Sequence, residues 1–130
     1  VFDADHLRKI EPGLRLFNEQ KYWECHEALE DLWMEDRQDP VRNVYWAVIQ
    51  VAAVCIHYRD GNLVGCRGMI AKAKEKFGRC RDLLVASDLL RRELQWDDLE
   101  ALVLRIPDFS RSQLADFAAL FDFRFKNFLD

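Results

Sequence analysis

Between Val44 and Tyr58 the chain is apolar all round a helical circumference, with two exceptions, Gln50 and His57. A helix of that kind has no face to give to water, so it belongs at the centre of a packed array of other helices. Asp39-Pro40 marks its start, an N-cap residue followed by proline at a first helical position, where the missing N–H costs nothing. Gly61 marks its end. The expected central helix therefore covers residues 40–59, and the rest of the sequence has to surround it.

The neighbours are legible from punctuation and period. Pro12-Gly13 opens a short apolar stretch, Leu14, Leu16 and Phe17, which predicts a first helix of a few turns. Tyr22 to Glu35 predicts a second. Asn62 caps a long fourth helix whose stripe, Cys66, Met69, Ile70, Ala73, Phe77, Cys80 and Leu84, recurs at helical spacing. Gly65 and Gly68 in its opening turns predict close packing against a neighbour. Asp97 with Glu100 reads as a capping-box start for a short helix ended by Pro107. Ser110 and Gln113 read as caps of a last helix bearing Leu114, Phe117, Phe121, Phe125 and Phe128. Six of the nine Phe follow Pro107, so this segment is expected to fold back over the core, with a homodimer interface as the other use of such a surface. No strand-like alternation appears. The fold class is all-α, a compact array of about five to six antiparallel helices in a single domain over residues 1–130, with C-terminal helices at about 97–130.

Composition narrows the function classes. Nineteen Lys and Arg against 23 Asp and Glu give a net charge of −4, without the basic excess of a nucleic-acid binder. The cations of the fourth helix, Arg67, Lys72, Lys74, Lys76, Arg79 and Arg81, spread over its polar arc and are interrupted by Glu75, which is the pattern of a solvated face. The longest apolar run, Val51 to Ile56, is far below the roughly 20 residues of a bilayer span, and no signal-peptide pattern opens the chain. Cys25, Cys55, Cys66 and Cys80 lie in apolar stripes without a C-x-x-C pair, and read as buried free thiols of a reducing cytoplasm. Ser87, Ser110 and Ser112 have no histidine near them in sequence, no phosphate-cradling loop is present, and no catalytic residue is assigned.

The polar residues that stand out are in the second and third helices. On a helical wheel Cys25, Leu29 and Leu32 take the core side of the second helix, while Trp23, His26, Glu30, Trp33 and Met34 form an adjoining stripe with Glu27 at its edge. If the two helices form a hairpin about the turn at 36–39, His26 comes level with Gln50. The same arithmetic sets His57 beside Glu19, about 10 Å along the axis from His26 at about 1.5 Å per residue. Trp23, His26, Glu27, Glu30, Trp33, Gln50 and His57 are thus the candidate pocket, for an unidentified small molecule or protein, with binding expected ahead of catalysis.

Two other readings compete with it. In one, His26 hydrogen-bonds Gln50 and the network fixes helix register, leaving function to a protein-interaction surface. In the other, His26-Glu27-x-x-Glu30 echoes a zinc hydrolase motif, with His26 and Glu30 holding a divalent metal and Glu27 as base. A third ligand is wanting in that case, and no cofactor is expected.

The segment from Phe17 to Trp33, FNEQKYWECHEALEDLW, followed by Gln50, by HYRDGN at 57–62 and by the small-residue helix opening at Gly65-Cys66, resembles the family catalogued as domain of unknown function 309. The resemblance covers about residues 10–85 and centres on Glu24, His26, Glu27 and Glu30. It implies a compact bundle of antiparallel helices from prokaryotes and carries no activity, substrate or cofactor with it.

Overall fold

The computed structural model describes residues 1–129. Seven α-helices run in the order α1 (Ala4–Asn18), α2 (Tyr22–Glu35), α3 (Arg42–Arg59), α4 (Leu63–Asp82), α5 (Asp88–Leu94), α6 (Trp96–Leu104) and α7 (Ala118–Phe121), with short 3₁₀ turns in the C-terminal segment and no strand among the described residues. The all-α expectation holds, with a somewhat higher helix count. α3 is the central helix, packed most extensively against α4 and α2, and α1 packs on α2.

The first helix starts well before Pro12. Asp3 caps it, its carboxylate accepting the N–H groups of Asp5 (2.9 Å) and His6 (3.1 Å), while His6 Nδ1 accepts the N–H of Asp3 in return. Three orphan donors of the helix terminus are thereby satisfied. Pro12 lies inside α1, and Gly13 serves packing: a Cβ there would fall 2.4 Å from Leu29 Cδ2 of α2. Pro-Gly thus marks a close helix crossing here, where the sequence pattern suggests a boundary.

The α2–α3 hairpin has the expected α2 bounds and an α3 that begins two residues late. Arg42, Asn43 and Val44 donate to the carbonyls of Asp39, Pro40 and Val41, a tight first turn, while Asp39 accepts the N–H of Val41 at 2.9 Å. Gly61 ends the unit at φ +69°, a left-handed conformation that suits glycine, and Asn62 caps α4 by accepting the Gly65 N–H at 3.0 Å. A Cβ on Gly65 would sit 2.3 Å from His57 Nδ1, so the predicted close approach is real at this position. Gly68 opposes nothing within 4 Å and has no such role. Leu84, counted in the α4 stripe from its spacing, lies beyond the helix end at φ +54° and is 77% exposed.

The C-terminal half departs most from expectation. α5 is an additional helix, capped by Ser87, whose hydroxyl also donates to the carbonyl of Phe2 and ties down the N-terminus. α6 begins at Trp96 behind the left-handed Gln95, and Glu100 pairs with Arg81 of α4 instead of capping. The last segment is a chain of 3₁₀ turns around the four-residue α7, not one helix. It does fold back: Phe117, Phe125 and Phe128 are buried, Phe125 meets Phe17 edge-on at 5.0 Å, and Asn18 brackets the Phe125 backbone by giving to its carbonyl (2.9 Å) and accepting its N–H (2.8 Å). No described helix is long and apolar enough to cross a membrane.

Candidate functional site

Although apolar, α3 is not wholly enclosed. Trp46, Gln50, Ala53 and His57 form a half-buried stripe along it, and the burial that would oblige Gln50 and His57 to find partners is incomplete. Over the first part of this stripe, α2 and α3 leave a cavity of about 240 Å³ lined by His26, Glu30, Trp33, Trp46, Ile49 and Gln50. Four of the seven sequence candidates meet there, and His26 and Gln50 do share a level of the hairpin.

The aromatic walls are fixed by mutual contact. Trp33 meets Trp46 in an edge-to-face arrangement at 4.8 Å and 60°. Arg42 lies over the Trp33 ring at 4.2 Å, and the buried Lys76 sets its ammonium 3.8 Å from the centroid of Trp46. Lys76 also reaches Glu75 at 3.2 Å, and that hydrogen bond, the charge of Lys76 and Arg79 beside it hold the Glu75 carboxyl below its ordinary range.

The polar members are less well supplied. His26 Nδ1 is buried without a hydrogen bond, its nearest charge being Glu30 Oε2 at 3.5 Å, beyond good bonding geometry. The indole N–H of Trp33 is likewise buried and unpaired. A lost partner for a buried donor costs about 1–3 kcal/mol, and the Tyr22 and Tyr45 hydroxyls, Asp36 Oδ2 and Arg67 Nε are in the same condition away from this cavity. Trp23 stacks on the outer face of His26 (5.3 Å, 6°) and is 57% exposed, and neither it nor the exposed Glu27 lines the cavity.

His57 stands apart. The Asn62 amide donates to its Nδ1 at 3.2 Å and its ring rests in the space left by Gly65, while Glu19 pairs with Lys21 at 3.2 Å. Hairpin arithmetic gives a residue's level but not its azimuth, and the azimuth of His57 turns it to α4. The His26–Gln50 hydrogen bond of the register-network reading does not form. Among the described residues no group of three or more His, Cys, Asp and Glu is arranged to hold a metal ion, so the motif His26-Glu27-x-x-Glu30 stays a pair in space.

The third histidine escaped the sequence argument. His6 is 9% exposed, stacks on Phe2 at 5.6 Å, and has both ring nitrogens engaged: Nδ1 accepts from the Asp3 backbone, leaving Nε2 to donate to Asp39 Oδ2 at 2.6 Å. Burial pushes the Asp39 carboxyl up, but the bond from His6, the Val41 N–H and the charge of His6 outweigh it, and the pKa lies below the usual value. Its signal in the sequence is Asp3 three residues before His6, a capping box with histidine in the place of the usual Glu or Gln. Trp46 was visible as a neighbour of Gln50, but Lys76 and Arg42 reach the rings from separate elements and carry no local signature.

The four cysteines are free and buried. Burial, first of all, raises Cys25, Cys55 and Cys80 to about 12 and Cys66 to about 11, so all four are protonated, inert thiols at neutral pH. Of the α4 cations, Arg67 donates to the Ser112 carbonyl, Lys74 pairs with Asp108 at 2.7 Å, and Arg79 shares Glu75 at 2.9 Å with Lys76.

Fold and cleft together define a small helical bundle with an aromatic, polar-edged cavity between two of its core helices. Residues 10–69 match the family described as Domain of unknown function (DUF309), which bears out the resemblance read from the sequence. The whole cavity lining falls within that stretch. Uncharacterized protein YpuF of Bacillus subtilis (strain 168) is 35% identical over 52 residues, 40% of this chain and 30% of that protein, so the similarity spans less than a third of the relative. No solved structure matches.

Proposed function

We propose that the α2–α3 cavity is a binding site for a small molecule, with Trp33 and Trp46 as its apolar walls and His26, Glu30 and Gln50 as its polar set. The observation that carries this reading is the cavity itself, in which the paired rings of Trp33 and Trp46 share one lining with His26, Glu30 and Gln50. A ligand with hydrogen-bonding groups beside a flat apolar body would suit that lining. Trp23, Glu27 and His57 are peripheral in this proposal. The competing register-network reading is weakened by the missing His26–Gln50 bond, and the hydrolase reading lacks a third metal-ligating group among the described residues.

The test is a fragment screen by protein-observed NMR, following the indole N–H resonances of Trp33 and Trp46. The reading expects a subset of planar fragments to shift both signals and to lose affinity at least ten-fold in Trp46→Ala. A screen in which no fragment moves either resonance overturns it.

A further inference from the structure

Trp46 is a wall of two cavities. On its other side, toward the α2–α3 turn, lies a cleft of about 280 Å³ whose walls include Arg37, Asp39, Arg42, Asn43 and Arg79. The three guanidinium groups come from three different places in the chain, the turn itself, the first residue of α3 and the last turn of α4. Arg42 lines this cleft, and its guanidinium also covers the ring of Trp33, a wall of the α2–α3 cavity.

The charges here do not balance. Asp39 is engaged by His6, and Glu75 is shared by Lys76 and Arg79. Arg42 donates to a neutral acceptor, the carbonyl of Arg37 at 3.1 Å. Arg37 has no ion pair among the described residues. The cleft lining thus holds three guanidinium groups, Arg37, Arg42 and Arg79, against the single carboxylate of Asp39, with Lys76 and Arg79 over the ring of Trp46, in a protein whose net charge is −4. On the lining of the α2–α3 cavity, between Trp33 and His26 along α2, stands Glu30. The site is therefore polarised, positive at the turn and negative one to two helical turns away, and a planar guanidinium fork is suited to a carboxylate or phosphate group.

We infer that the ligand of the α2–α3 cavity is an organic anion, whose flat body lies against Trp33 and Trp46 and whose carboxylate or phosphate group reaches Arg42 and Arg79 in the adjoining cleft. This rests on the binding-site reading given above, and the two fail in different ways.

The experiment is a ligand-observed NMR titration of the full chain with four probes that share one ring: 2-naphthoate, 2-naphthyl phosphate, neutral 2-naphthamide and 2-naphthylmethylammonium. One or both anions are expected to bind at least five-fold more tightly than the amide, with the ammonium weakest, and the better anion identifies the preferred group. Arg42→Gln and, separately, Arg79→Gln are expected to reduce the anion-to-amide ratio below two-fold. Raising the salt from about 0.02 to 0.5 M should weaken the anions alone, as screening requires. Equal binding of amide and anions, or tightest binding of the ammonium, overturns the anion assignment and leaves the binding site standing. No binding of any probe at millimolar concentration, with no shift of the indole signals, overturns both.

Discussion

His6 and His26 occupy opposite conditions in the same fold. His6 is nearly enclosed, and each ring nitrogen has one well-placed partner, so the ring joins the start of α1 to the α2–α3 turn. His26 is half-buried on the wall of a cavity, with a buried Nδ1 that finds only a distant carboxylate. A satisfied polar cluster strengthens and specifies a fold; an unsatisfied one is held there at a cost to stability, which is the condition of a site awaiting a ligand. The comparison teaches that conspicuous sequence motifs and structural importance need not coincide: the segment rich in His, Glu and Trp is the open one, and the plain Asp3-Ala4-Asp5-His6 is the locked one.

Deleting each ring sharpens this contrast most directly. His6→Ala removes a cap bond and the bond to Asp39 and should cost about 2–3 kcal/mol in urea unfolding, whereas His26→Ala should change stability by less than about 0.5 kcal/mol. Equal losses would erase the distinction between the two regions.

His57 offers an intermediate case, held by packing at a glycine. Gly65→Ala places a methyl group against its ring and should destabilise by about 1–2 kcal/mol, as overpacking does. In the double variant with His57→Ala the loss should shrink, since the contact with the ring is gone and only that with the Asn62 amide, at 2.8 Å, is left; strictly additive losses would show that Gly65 serves another purpose.

Acid should act on the closed region. Asp3, held down first by the His6 backbone N–H, and Asp39 both have folded-state pKa values below their ordinary ones. Groups of this sign give stability that is complete above the unfolded value, near 4, and disappears as pH falls through the folded value. The urea midpoint should therefore fall between pH 5 and pH 3, and Asp39→Asn should reduce that fall. An unchanged drop in the variant would exclude the His6–Asp39 pair as its source.

The smallest effect is expected of Glu30→Gln, at most about 0.5 kcal/mol in unfolding free energy, because this exposed carboxylate holds only a long contact to His26. A loss above about 2 kcal/mol would make the carboxylate a paired structural element and favour a register network over a binding site.

Much of this architecture was legible in advance for a physical reason: helix period and capping are local. The bounds of α2, the end of α3 at Gly61, the Asn62 cap and the inward Phe residues of the tail all follow from residues within a turn or two of each other. Where a local sign had two meanings the expectation failed. Pro12-Gly13 looks like a boundary but serves the α1–α2 crossing, and Asp97 with Glu100 looks like a cap but gives Glu100 to Arg81.

The sequence by itself determined an all-helical chain, a central α3, buried thiols and the level at which His26 meets Gln50. Tertiary structure alone decided which way His57 turns, that Trp23 and Glu27 stay outside the cavity, and that Arg42, Lys76 and Arg79 converge on Trp33 and Trp46. Period and composition fix position along and around one helix. The azimuth of one helix against another depends on which side chains interlock at the crossing, and Gly13 against Leu29 and Gly65 against His57 are contacts that no single stretch of sequence contains.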